Sequence, residues 1–198
     1  MIKNIIFDLG RVVLDFEPKK YLMDKIKDEV KVNKLMKVIF AGEEWIRLDE
    51  GTITEDEAIE RICAGNIELE KEIRMVFDNW YPMLTPIEST IEVINELKIK
   101  GYKLYFLSNF HEKAFKYVNE EYPVFKLFDG GIASYKEKLM KPNPEVYKLI
   151  LEKYNLKAEE CVFIDDVREN VEIAEKFGIK GINLTDQRTL KSDLELIL

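Results

Sequence analysis

Residues Ile5-Ile6-Phe7-Asp8-Leu9-Gly10 constrain this chain more than any other stretch. A run of β-formers that begins near Ile2, lacks helical spacing and ends at a glycine reads as a buried strand of a parallel sheet. Asp8 then stands at the carboxyl end of that strand. Open α/β sheets bind ligands there, because the diverging loops leave a crevice. Taken alone, an aspartate in F-D-L-G more often only caps a turn, so the rest of the chain has to decide its meaning.

Past Gly10 the segment from Arg11 to Phe16 still reads as β-like, through Val12, Val13 and Leu14, and Pro18 opens a different texture. From Pro18 to Tyr81 the sequence is charged, with apolar residues three and four apart: Leu22, Ile26 and Val30, then Leu35, Val38 and Ile39. Thr54 and Glu57 form a capping box ahead of Ala58, Ile59 and Ile62, and a further helix is expected from Glu68 toward Trp80. About four short helices without a strand suggest a small bundle inserted after the first strand. After Pro82 and Pro86 the pattern changes. A helix through Ile87, Ile91, Ile94 and Leu97 ends at Gly101, and Tyr102 to Leu107 reads as a strand that runs into Ser108-Asn109. Helix and strand then alternate: Glu112 to Glu120, a short strand at Gly131 to Ala133, a helix after Lys141-Pro142, a strand Cys161 to Ile164 ending in Asp165-Asp166, a helix to Gly178, and a last strand Gly181 to Leu184. This predicts a doubly wound, Rossmann-like parallel-sheet core, residues 1–16 and 82–198, with a helical cap over residues 17–81.

The totals exclude several functions. A net charge of −8 argues against a nucleic-acid surface, which needs clustered Lys and Arg. No apolar run approaches the roughly 20 residues of a membrane span, and Asp8 and Arg11 interrupt the first one too early for a signal peptide. A cytoplasmic monomer or weak dimer is expected, with Cys63 and Cys161 as reduced core thiols. The single histidine, His111, makes a histidine-rich zinc site or a serine triad a poor fit.

Three strands end in polar groups: Asp8, then Ser108 and Asn109, then Asp165 and Asp166. In a parallel sheet these ends converge. Carboxylates that face one another repel unless a cation lies between them, and Mg2+ is bound by one or two carboxylates plus substrate phosphate. Lys141, expected at a helix start, adds positive charge where backbone N–H groups also attract anions. A dianionic phosphoryl group is the ligand such a pocket suits.

With these residues in view, the chain resembles the haloacid dehalogenase-like hydrolase superfamily over nearly its whole length, in the branch with a helical cap. The matching stretches are I-I-F-D-L-G-R-V-V, F-L-S-N, M-K-P-N-P-E-V-Y and F-I-D-D-V-R-E-N. The resemblance implies phosphoryl transfer through an aspartyl-phosphate on Asp8. Mg2+ would be held by Asp8, the Gly10 carbonyl and Asp166, with Asp165 beside the metal, while Ser108, Asn109 and Lys141 bind phosphate. One position departs from the pattern. Most phosphatases of the superfamily carry a second aspartate two residues after the nucleophile, as general acid and base; here it is Gly10. A glycine there also occurs in a subgroup similar to bacterial glucose-1-phosphate phosphatases, and an anomeric oxygen is a leaving group that needs protonation less than an ordinary alkoxide. Asp15, His111 and Glu44 are the candidates for the missing proton function, and Trp45 and Arg47 for substrate contacts. Two other readings stay open: a dehalogenase working without metal, against which Asp165-Asp166 speaks, and a degenerate protein that binds a phosphorylated ligand without turnover.

Overall fold

The computed structural model describes residues 1–198. Strand β1 (Asn4–Phe7) is followed by helices α1 (Pro18–Ile26), α2 (Glu29–Leu35), α3 (Glu43–Glu50), α4 (Glu55–Gly65) and α5 (Glu70–Asp78). The alternating half comprises α6 (Glu88–Ile99), β2 (Lys103–Ser108), α7 (Glu112–Glu121), β3 (Gly130–Ala133), α8 (Ser134–Glu137), α9 (Pro144–Lys153), β4 (Cys161–Asp165), α10 (Arg168–Lys176), β5 (Lys180–Asn183) and α11 (Leu190–Glu195). All five strands are parallel, in the order β3-β2-β1-β4-β5. The first strand is therefore central, and the chain reverses its direction of winding beside it. A crevice forms at such a switch point.

Alternation along β1 explains why it is buried on both faces. Ile5 and Phe7 join the apolar core that continues into the helical insertion, whereas Ile6 packs on the opposite face with Tyr147, Ile150 and Phe163. The register pairs Phe7 with Phe106 on one side and Ile164 on the other, which brings Asp8, Leu107 and Asp165 level one step later.

The segment after Gly10 differs from the β-like expectation. Arg11 has φ of 57°, and the chain turns back so that the N–H of Arg11 donates to the Leu14 carbonyl. Beyond that turn the outgoing and returning chains run side by side: Asp15 N–H donates to the Thr85 carbonyl, and Ile87 N–H to the Val13 carbonyl. The insertion holds five α-helices rather than four. The one missed is α3, short, charged and closed by Gly51 at φ of 69°. The run Leu22, Ile26, Val30 also does not form one helix: Lys27, in the left-handed region, ends α1, and Val30 on α2 is 70% exposed. The capping box at Thr54 and Glu57 is present as expected. Cys63 and Cys161 are both buried and unpaired, and no helix is long and apolar enough to cross a membrane.

Candidate active site

At the carboxyl edge of the sheet, Lys141 is the centre of a buried charge cluster. Its ammonium lies 2.8 Å from Asp8 Oδ1 and 2.6 Å from Asp165 Oδ2, with the lysine side chain only 2% exposed. The sequence placed Lys141 at a helix start; it lies instead in the turn before α9, whose cap is Asn143, three residues short of the helix. The turn is held from the other side of the crevice. Asn109 Oδ1 accepts the Lys141 N–H and Asn109 Nδ2 donates to the Lys141 carbonyl, both at 2.9 Å. Asn109 was expected on phosphate, but both side-chain amide atoms are committed to fixing Lys141. Ser108, at the end of β2, is buried.

The paired acids divide. Asp165 is fully buried, and its Oδ1 accepts the Val167 N–H at 2.8 Å while Asn170 Nδ2 donates to both of its oxygens at 3.1 Å. Burial pushes its carboxyl above the usual range, and the nearby charge of Asp8 adds to the push against Lys141. For Lys141 itself, burial disfavours the charge, but Asp8 and Asp165 outweigh it and hold the pKa above the ordinary lysine value. Asp166 has no comparable partner. Its nearest cation is the half-exposed Arg11, at 3.9 Å, and burial, then the charge of Asp8, raises its pKa. Asn183, level with Asp165 at the end of β5, donates to the Asp166 carbonyl at 2.9 Å and so fixes the backbone there.

Asp8, Asp165 and Asp166 each present an oxygen within 4.8 Å of the others. Lys141 neutralises the first two only in part, since one ammonium serves both. A half-buried third carboxylate without a close cation, facing hard oxygen donors, fits a divalent ion of the Mg2+ type.

Beyond Gly10 the cluster opens into a cavity of about 120 Å³ between the sheet edge and the helical insertion. Trp45 lines it and also packs against the core; Arg47, Asp15 and Glu44 do not line it. Sequence reasoning missed Asp49, Trp80, Asn170 and Asn183. Asn170 and Asn183 had a readable signal, since one follows the paired acids by a helical turn and the other ends a strand. Asp49 had none, because α3 was not read as a helix.

A family model described as a haloacid dehalogenase-like hydrolase matches residues 2–178. The chain is 30% identical over 184 residues to a sesquiterpene phosphatase of Aspergillus oryzae, a match spanning 93% of this chain and 90% of that protein. It is 24% identical over 213 residues to the D-ribitol-5-phosphate phosphatase of Bacteroides thetaiotaomicron, covering 100% and 99% of the two chains. Among solved structures, a family enzyme of Bacteroides thetaiotaomicron in complex with magnesium and inorganic phosphate superposes with a TM-score of 0.71 at 27% identity, over 92% of this chain and 93% of that one.

Proposed function

The chain belongs to the haloacid dehalogenase-like hydrolase family, and on that premise we propose that it is a Mg2+-dependent phosphatase of a small phosphorylated metabolite, acting through an aspartyl-phosphate on Asp8. The observation that carries this reading is the division among the three carboxylates. Asp8 and Asp165 share the Lys141 ammonium, whereas Asp166 stands beside Asp8 without a close cation of its own. A metal-free dehalogenase has no use for that third acid.

In this reading Asp8, the Gly10 carbonyl and Asp166 would hold the metal, which would supply positive charge against the phosphoryl oxygens. Asp8 attacks phosphorus. Lys141 and the Ser108 hydroxyl bind phosphoryl oxygens, and Asn109 keeps Lys141 aimed through its two backbone hydrogen bonds. Such positioning and charge neutralisation carry most of phosphoryl-transfer catalysis. Asp165 takes no part in the chemistry; it balances Lys141 from beneath. The helices of residues 17–81 form the cap on a core of residues 1–16 and 82–198, and close the cavity over the leaving group. A sugar 1-phosphate is the favoured substrate, since a glycine at position 10 also occurs in the subgroup similar to bacterial glucose-1-phosphate phosphatases. Trp45 and Trp80 line the cavity that would receive the sugar.

The test is hydrolysis of an aryl phosphate by the purified protein with Mg2+ and then with chelator. Turnover that requires Mg2+ supports the reading. Hydrolysis unaffected by chelation overturns the metal assignment, and no turnover of any phosphate ester favours a ligand-binding protein.

A further inference from the structure

Phosphatase action as read above leaves one proton unassigned, the one that the departing alkoxide must receive. Gly10 cannot give it. The cavity beyond Gly10 has two ionisable groups in its wall, Asp49 of α3 and His111 of the loop after β2. His111 is 3% exposed, and its ring meets Trp45 and Trp80 edge-on with centroids 4.1 and 5.4 Å away. Nε2 lies 3.1 Å from Asp49 Oδ1, yet neither ring nitrogen makes an aligned hydrogen bond. The distance is that of a charge pair; the alignment is that of a donor not yet engaged. Catalytic hydrogen bonds often tighten only around bound substrate.

The pair is also fixed across the junction of insertion and core. The Ser134 hydroxyl accepts the N–H of Phe110, the residue before His111, at 2.9 Å, and donates to the Asp49 carbonyl. Gly51 reinforces the approach: a Cβ there would collide with the Tyr135 backbone. Of the three residues that the sequence left open for this proton, Asp15 is exposed and binds the N–H of Phe16, and neither Asp15 nor Glu44 lines the cavity.

We propose that His111 is the general acid and base for the leaving group, in place of the carboxylate absent at position 10, with Asp49 as its positioning residue. The proposal rests on the phosphatase reading. In the first step protonated His111 gives its N–H proton to the bridging ester oxygen as that oxygen's bond to phosphorus breaks and the bond from Asp8 forms; the alcohol leaves and the imidazole is neutral. In the second step His111 takes a proton from water as the water oxygen bonds to phosphorus and the Asp8–phosphorus bond breaks. Inorganic phosphate, the Asp8 carboxylate and the imidazolium result. The net change is ester plus water to alcohol plus phosphate.

Acidic groups face His111 from several sides. Asp49 faces it from α3, and an adjoining outer cavity that it also lines carries Glu55, Asp56, Glu57, Glu112 and Lys113. The lysine is already paired, at 3.3 Å from Glu55 and 3.0 Å from Asp56.

The experiment measures kcat at saturating substrate with Mg2+ across esters from acidic phenols to simple alcohols, for wild type, His111→Gln and Asp49→Asn. General acid help is worth roughly 10²–10⁴ in rate. Wild type should vary little along the series, and His111→Gln should lose roughly that factor on alkyl esters but about tenfold or less on the most acidic phenol, whose retained turnover also shows that the variant is folded. Asp49→Asn should lower kcat on alkyl esters with KM little changed while leaving the most acidic phenol nearly unaffected, a leaving-group dependence that a purely structural role does not produce. Gly10→Asp should restore alkyl-ester turnover to His111→Gln. An equal loss along the whole series in His111→Gln, or a steep dependence already in wild type, overturns the proposal. Absence of turnover of every ester by wild type overturns the phosphatase reading itself.

Discussion

Replacing the two acids after β4 one at a time separates the residue that supports Lys141 from the residue that holds metal. Asp165→Asn removes a fully buried carboxylate that takes the Lys141 ammonium at 2.6 Å and the Val167 N–H at 2.8 Å. Asparagine keeps one acceptor oxygen and turns an NH2 toward a second donor, leaving Lys141 balanced by Asp8 alone. Breaking a buried pair from one side costs about 3–5 kcal/mol. The low end applies, because burial already opposes the Asp165 charge. At about 3 kcal/mol, and about 2–4 °C per kcal/mol for a chain of this size, the metal-free protein should melt about 6–12 °C lower. Asp166→Asn has the opposite sign. Asp166 has no close cation to lose and stands beside the charge of Asp8, so removing its own charge should leave the metal-free protein as stable at pH 7 or more so. Saturating Mg2+, at a hundredfold excess over its Kd, should stabilise wild type by about 2.7 kcal/mol. Asp165→Asn should keep most of that gain and Asp166→Asn lose most of it. Thermal unfolding followed by circular dichroism, first with chelator and then with Mg2+, measures all five quantities. A metal-free Asp165→Asn that melts like wild type, or an Asp166→Asn that retains the full Mg2+ shift, would refute the division.

Gly10→Asp should fold, because a Cβ at Gly10 meets nothing within 4 Å and its φ is not left-handed; with Mg2+, its gain should be confined to alkyl esters and be about tenfold or less while His111 is present, as kcat against leaving-group pKa will show. Asp129 should be a pH-dependent stabiliser. Burial opposes its ionisation, but Lys98, the Leu104 N–H and Lys103 outweigh it and hold the carboxyl at about 2. Its contribution is complete above the unfolded pKa of about 4 and lost as pH falls toward 2, so Asp129→Asn should lower Tm at pH 7 and converge with wild type in acid. Lys141→Met should destabilise less at pH 4 than at pH 7, since protonation relieves the carboxylates it leaves facing each other, and it should abolish turnover at either pH.

The sheet was legible because β1, β2 and β4 are short apolar runs whose pattern changes sharply at a polar residue, and because those three polar ends fall at one edge. β1, β2 and β4 are where that pattern places them, and so are Asp8, Ser108 and Asp165. What escaped had weaker local signals. The turn after Gly10 is rich in Val and Leu, so it reads as strand although Arg11 adopts a left-handed conformation. The helix α3 is charged and eight residues long, and it owes its place to Trp45 packing on Phe40 and Trp80 rather than to its own periodicity. Asp49 was therefore out of reach. Pairing His111 with it needs the fold, because the two residues lie far apart in sequence and meet only where the insertion folds back on the core.

Acid quenching of a phosphate-ester reaction in Mg2+, followed by intact-mass and peptide analysis, tests the central claim most directly. The account expects one phosphoryl group on Asp8 in wild type, trapped during turnover, and neither adduct nor turnover in a folded Asp8→Asn. A phosphoryl group on another residue, or undiminished hydrolysis by Asp8→Asn, would contradict it.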